Sequence, residues 1–317
     1  MVNLKKTGVY LSLTILFFLL GGCGKNENIA PKMSQYNNYD ETMNKTVFIE
    51  DAVLDVPKGL VYVGDSLYVT SKEGHCVLKY SKEGILEKTI GNLGNGDGEF
   101  RKPVAITYYG EELYVADEED GKIQVFDLDG SFIRKYYVEE LDNIYLFVVD
   151  IEADEHNIYV SVTGGEKSLL HVYVISKADG KVDTLGKLSM GSLGRGEENI
   201  YFAQEFDYIE ENGNSGYESG ESYFSEIGNG KMKKIFQLPD GYLPSDILVY
   251  ENNIYLLSKA LTQVDVFNIQ GQYIKTVFSE ESSVRNRGLG YMTMDAEGNI
   301  YLSDEENDVV YKLEKEN

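Results

Sequence analysis

The sequence reads as an all-β chain, a six-bladed β-propeller with four antiparallel strands per blade. Three recurring features carry this reading. Pro57, Pro103 and Pro244 each stand eleven residues before a tyrosine, Tyr68, Tyr114 and Tyr255. A strand tolerates proline at its first residue, where no ladder hydrogen bond is lost. An apolar-Tyr-apolar core recurs as Leu67-Tyr68-Val69, Leu113-Tyr114-Val115, Ile158-Tyr159-Val160, Ile254-Tyr255-Leu256 and Ile300-Tyr301-Leu302. Sixteen residues after four of these tyrosines comes a turn or the chain end, at Gly84, Gly130, Gly271 and Asn317. Units of ~40–50 residues built from short strands are the mark of a propeller.

The chain opens with a leader, residues 1–22. Lys5 and Lys6 form a basic region, Val9 to Leu20 an apolar one, and Leu20-Gly21-Gly22-Cys23 a small-residue cleavage site. The apolar run is shorter than the ~20 residues of a spanning helix. It resembles a bacterial lipoprotein signal, which implies that Cys23 carries the lipid. Residues 23–45 are polar with little apolar periodicity and read as a tether, and the propeller is expected over residues 46–317.

Within the propeller the second repeat is the most complete. Its inner strand A is expected at Pro103 to Tyr109, B at Glu112 to Ala116, C at Lys122 to Asp127, and outer strand D at Ser131 to Tyr136. Gly110-Glu111 turns A into B, and Asp129-Gly130 turns C into D. The C–D turn recurs at Glu83-Gly84, Asp179-Gly180, Asn229-Gly230 and Gln270-Gly271.

The fourth repeat aligns with the second when Gly91 to Asp97 is laid on Gly191 to Glu197, an offset of 100 that also carries Gly130 onto Gly230. This places its strand A at Ala203 to Ile209 and Asn214 in the tyrosine slot. The rival, Ile200-Tyr201-Phe202 as strand B, needs a 13-residue insertion, so the gapless match is preferred. The last repeat lacks a strand D, while Thr46 to Glu50 is a spare strand before the first. Using the spare as the outer strand of blade six closes the ring and hides two edges.

The formal net charge is −24, which argues against nucleic acid or an anionic membrane face as partner. With Cys23 lipidated, Cys76 has no disulfide partner in the chain, and its place beside Val77 and Leu78 suits a small buried hydrophobe.

The second repeat resembles an NHL repeat, the unit of a six-bladed propeller family. Gly94 to Phe100, Pro103-Val104-Ala105-Ile106, Leu113 to Asp117 and Ile123 to Gly130 carry the likeness. Repeats one, five and six match more loosely, three and four weakly. With the lipobox, the chain is similar to propeller lipoproteins of bacterial envelopes. The resemblance implies a lipid-anchored binding role, with an outer-membrane destination favoured because Gly24 replaces the Asp of inner-membrane retention. Asp117 and Asp304 match the Asp that ends strand B, and are expected to cap a turn.

By analogy with other propellers, the ligand is expected on the face made by the D–A and B–C connections. The D–A loops read as 91–102, 138–147, 187–202, 238–243 and 279–290, and they hold Arg101, Arg195, Arg285 and Arg287, four of the five arginines. A guanidinium fork suits a carboxylate, sulfate or phosphate, so an anionic protein, peptide or glycan ligand is one reading. Solvated arginines balancing nearby Glu is the plainer one. Tyr201, Phe202 and Tyr217 are the aromatic candidates for stacking on a sugar or anchoring a partner.

The acidic B–C runs at Asp117 to Asp120 and Asp304 to Asp308 lack the spacing of a calcium loop, so no cofactor is assigned. Catalysis has thin support. His75, His156 and His171 fall at a top-face loop, an opposite-face hairpin and a strand start, and cannot assemble a His-rich metal site of the kind propeller lyases use, while residue counts leave open an Asp/Glu/Asn-lined calcium site as in lactonase-type propellers. No serine has a G-x-S-x-G context. A lipid-anchored binding propeller is the first reading. A metal-dependent hydrolase or lyase using channel carboxylates is the alternative.

Overall fold

The computed structural model describes residues 43–118, 121–138, 146–164, 171–185, 189–211, 214–218, 222–238, 242–258, 261–280 and 288–315. They form six antiparallel sheets in a ring, the six-bladed propeller expected from the repeats. Blade one is β2 to β5 (Pro57–Val63, Ser66–Ser71, Cys76–Ser81, Leu86–Ile90), preceded by β1 (Met43–Glu50). Blade two is β6 to β9 (Pro103–Tyr109, Glu112–Asp117, Lys122–Asp127, Phe132–Tyr137). Blade three is β10 to β13 (Leu146–Ala153, Asn157–Gly164, His171–Ser176, Val182–Leu185). Blade four comprises β14 (Ser189–Arg195), β15 (Ile200–Glu211), β16 (Asn214–Glu218), β17 (Tyr223–Gly228) and β18 (Lys231–Gln237). Blade five is β19 to β22 (Asp246–Tyr250, Asn253–Ser258, Gln263–Asn268, Tyr273–Ser279), and blade six ends the chain with β23 to β25 (Leu289–Met294, Ile300–Asp304, Val309–Lys315).

Blade six has the order β1-β25-β24-β23. The spare N-terminal strand is therefore its outer strand, paired with β25 from Met43 opposite Lys315 to Glu50 opposite Val309. It is longer than the sequence suggested, and Met43, Asn44 and Lys45 leave the expected tether to join it.

Burial follows position in the blade. Strand β7, packed between neighbours on both faces, is buried at five consecutive residues, whereas outer strand β9 alternates half-buried and exposed. Pro57 and Pro103 open β2 and β6 as expected; Pro244 stands two residues before β19.

Blade four corrects the sequence reading. Its inner strand is β14, not Ala203 to Ile209, and Ile200-Tyr201-Phe202 begins strand B. The insertion that seemed too costly is real: β15 runs on for 12 residues and turns back as β16. The Gly191-to-Glu197 segment copies the letters of a D–A loop, but its residues up to Arg195 serve as a strand, because its glycines allow close approach. A Cβ on Gly191 would lie 2.0 Å from the Ala203 carbonyl oxygen, and one on Gly194 2.5 Å from Ile247 Cγ1. Tyr201 is thus the tyrosine that the fourth repeat had lacked.

A polar link made by a side chain ties each pair of neighbouring blades. Thr293 Oγ1 accepts from the Tyr62 N–H at 3.1 Å, joining blades six and one. The Thr70 hydroxyl donates to the Val104 carbonyl at 3.3 Å, and Thr107 to Glu152 Oε2 at 2.7 Å. Asp150 accepts from the Leu193 N–H at 2.8 Å, and Ser192 donates to the Ser245 carbonyl at 2.6 Å. Asp246 completes the circuit, accepting from the Met292 N–H at 2.6 Å.

Candidate functional site at the A–B mouth of the channel

The six inner strands enclose a chamber of about 230 Å3. Three acids, Asp150, Glu152 and Asp246, line it. Asp150 and Asp246 are braces: each accepts from the N–H of its own successor, Ile151 or Ile247, as well as from the neighbouring blade. Burial pushes the Asp150 carboxyl up to about 8 and that of Asp246 well above the ordinary carboxylate range. Mutual repulsion adds to the effect, while the backbone donors oppose it. Glu152 is also raised by burial, against the pull of Arg195.

Tyr291 crosses the channel. Its hydroxyl donates to the Val149 carbonyl at 2.5 Å, joining blades six and three. Val149 comes before Asp150 on β10, which runs from the D–A face to the A–B face, so this bar lies on the D–A side of that acid.

Arg195 stands at the other end. As the last residue of β14, opposite Ile200, it belongs to the A–B hairpin of blade four rather than to a D–A loop. Its Nη2 donates to the Tyr108 carbonyl at 2.7 Å, and its guanidinium lies 5.3 Å from the centre of the Tyr109 ring. Nε is buried without a hydrogen bond; Glu152 Oε2 stands 3.6 Å away, an ion-pair distance too long for one. On Tyr109 and Tyr114 rests a second cation, Lys177 Nζ, at 4.6 and 4.5 Å. Beside this group a cleft of about 330 Å3 opens, lined by Tyr109, Asp154, His156, Arg195, Glu198 and Asn199.

The other sequence candidates are scattered. Arg101 is exposed before β6, on the D–A face, where its N–H and that of Lys102 donate to Asp117. Arg101 and Arg195 therefore lie at opposite ends of the ring, and the single arginine face does not assemble from them. Arg134 is held bidentately by Glu112 at 2.7 and 2.6 Å on outer strand β9. Tyr201 and Phe202 are core residues, 8% and 0% exposed, and Tyr201 stacks on Phe224 at 5.2 Å. Tyr217 falls on β16 opposite Tyr208. Cys23, Arg285 and Arg287 lie outside the described residues.

Asp117 and Asp304 are buried and accept backbone N–H groups, the latter those of Glu306 and Asn307. Cys76 is buried and its thiol is pushed up to about 11. Sequence reasoning missed the Arg195 mouth because it misplaced strand A of blade four. The signal was present in Ile200-Tyr201-Phe202, which carries the same apolar-Tyr-apolar core as its five counterparts.

Comparison with known proteins supports the architecture. The family model DUF5128, described as a 6-bladed beta-propeller, matches residues 49–189. No curated protein matches the chain. Among solved structures it is similar to a streptogramin B lyase (12% identity, 88% of this chain and 100% of that one, TM-score 0.59). It is also similar to a gluconolactonase from Xanthomonas campestris (14%, 90% and 93%, 0.60) and to the calcium-binding protein regucalcin from Agrobacterium tumefaciens (10%, 86% and 94%, 0.60). At such identities the likeness is one of fold. Among the described residues no three His, Cys, Asp or Glu groups are placed to hold a metal, and both channel aspartates accept backbone N–H groups.

Proposed function

We propose that this protein is a binding propeller of the bacterial cell envelope, lipid-anchored through Cys23, which takes an anionic group of its ligand at the A–B mouth of the channel. The observation that carries the proposal is Arg195, stacked on Tyr109 beside the 330 Å3 cleft with a buried Nε that has no hydrogen bond. A guanidinium with donor capacity at the edge of a cleft is suited to a carboxylate or phosphate. Burying such a donor without a hydrogen bond costs about 1–3 kcal/mol, which an incoming acceptor offsets. The Tyr291 bar favours approach from this end. The lipobox supports the anchor.

The hydrolase or lyase alternative has less support, because two of the three channel acids serve as braces between blades.

The test is a titration with acetate and with inorganic phosphate, followed by NMR at the Arg195 Nε–H and the Tyr109 ring. Saturable shifts in the wild type that vanish in Arg195→Ala, but persist in Arg101→Ala, are expected. Titration curves that are the same in the wild type and Arg195→Ala would refute the anion site.

A further inference from the structure

The ring is not equally closed at every junction. At the C–D turn of blade two, a Cβ on Gly130 would meet Ile90 of blade one at 2.5 Å, and one on Gly271 of blade five would meet Phe236 of blade four at 2.3 Å. The corresponding Gly230 of blade four has no described atom within 4 Å of its Cβ position. Where blade three should fill that space there is instead a cavity of about 770 Å3. It shares Asp154, His156, Glu198 and Asn199 with the mouth cleft, yet runs away from Arg195 between the two blades.

We infer that this inter-blade cavity is a second binding site and that its ligand is a neutral saccharide. Three residues with side-chain amides line it, Asn157, Asn199 and Asn229, together with Glu198. An amide offers a donor pair and an acceptor on one rigid fork, which matches the adjacent hydroxyls of a sugar ring, each both donor and acceptor. Val174, Leu185 and Ile227 supply an aliphatic floor for the C–H face of a pyranose. Tyr159 is fixed beside it, its hydroxyl donating to Asp154 Oδ2 at 2.7 Å, with Asn157 Nδ2 3.5 Å from the same hydroxyl.

Charge selects within the class. No lysine or arginine is among the described lining residues, while Glu198, Asp154 and Asp183 are. Asp183 is paired with Lys181 Nζ at 3.1 Å, so Glu198 and Asp154 are the acids whose like charge a uronate or phosphorylated sugar would meet. The volume falls within the ~300–1,000 Å3 of ordinary ligand pockets, roomy enough for an oligosaccharide. The site does not depend on Arg195, so the two proposals fail separately.

The experiment is calorimetric titration of the full chain with neutral trisaccharides of glucose, mannose and galactose, and with trigalacturonate. At least one neutral trisaccharide should bind, and trigalacturonate should bind at least tenfold more weakly. Asp183→Trp, on the face of β13 that Leu185 turns towards blade four, and Asn199→Ala should each weaken binding about tenfold or more, equivalent to ~1.4 kcal/mol, with unchanged melting temperature. Arg134→Ala, on outer strand β9 of blade two, should leave saccharide binding within about twofold, well inside the tenfold that 1.4 kcal/mol represents. The inference is overturned if no neutral trisaccharide binds, if trigalacturonate binds as well as the best of them, or if binding survives Asp183→Trp.

Discussion

Blades one and two, set beside blades three and four, show two ways of building the same ring. On the regular side the C–D turn of each blade rests on its predecessor's outer strand. Gly84 stands so close to β1 that an added Cβ would lie 2.8 Å from the Phe48 carbonyl oxygen, and Gly130 is packed in the same way on Ile90. On the other side Gly180 and Gly230 have no described atom within 4 Å of their Cβ positions. The junction of blades two and three is filled by Lys177, between Tyr109 and Tyr114, with the Tyr136 hydroxyl donating to its carbonyl at 3.3 Å. The junction of blades three and four is left open as the 770 Å3 cavity. The inner strands, by contrast, are linked by side-chain hydrogen bonds all the way round. A propeller can therefore relax its outer packing at one junction, and gain a pocket there, while the inner circuit preserves the ring.

The largest effect should come from breaking the regular side at its closure. Deleting residues 1–50 removes β1, whose Ile49 and Met43 are 2% and 8% exposed, and leaves β25 as an open edge. At about 1.5–3 kcal/mol for each buried apolar side chain, the loss is ~3–6 kcal/mol before the edge is counted, and the exposed edge should promote aggregation. Deleting residues 1–42 should leave the melting temperature of the propeller unchanged. Equal melting temperatures for the two truncations would mean that β1 does not close the ring.

That closure was legible in the sequence, because a missing strand at one end and a spare at the other imply each other whatever their side chains. Blade four was not. Glycine has two uses, at turns and where chains approach closely, and the letters around Gly191 and Gly194 match the first while the residues serve the second. One slipped blade moved Arg195 from one face of the ring to the other. The inter-blade cavity was beyond reach for a different reason: it exists because nothing fills the space beside Gly230, and the sequence around Asn229-Gly230 is that of any other C–D turn.

A smaller effect should sharpen the contrast between packed and open junctions. Gly271 and Gly230 both have positive φ, 82° and 68°, so alanine carries a similar backbone cost at each, about 1–2 kcal/mol. Only at Gly271 must the new methyl also displace Phe236, an overpacking cost of roughly 1–3 kcal/mol. Gly271→Ala should thus be the more destabilising of the two in chemical denaturation. Losses of equal size would show that the blade-three/blade-four junction is as tightly packed as the others.

The smallest effect concerns the junction filled by Lys177. Burial depresses its ammonium to about 8, against an ordinary lysine value of ~10.4. In the window between those values the unfolded chain keeps a proton that the folded chain has released, so stability rises with pH from about 8 to 10. The group is half-exposed, and two tyrosine faces and the Asp154 carbonyl favour its charged form. The rise should therefore stay below about 1 kcal/mol, the scale of solvent-screened charges. Lys177→Met keeps the aliphatic stem between the rings and removes the titration, so its stability should not rise with pH over that window. Its melting temperature at pH 7 should fall less than that of Gly271→Ala. If wild type and Lys177→Met change alike between pH 8 and 10, the titrating group lies elsewhere. If Lys177→Met is as destabilising as Gly271→Ala, the charge rather than the stem holds blades two and three together.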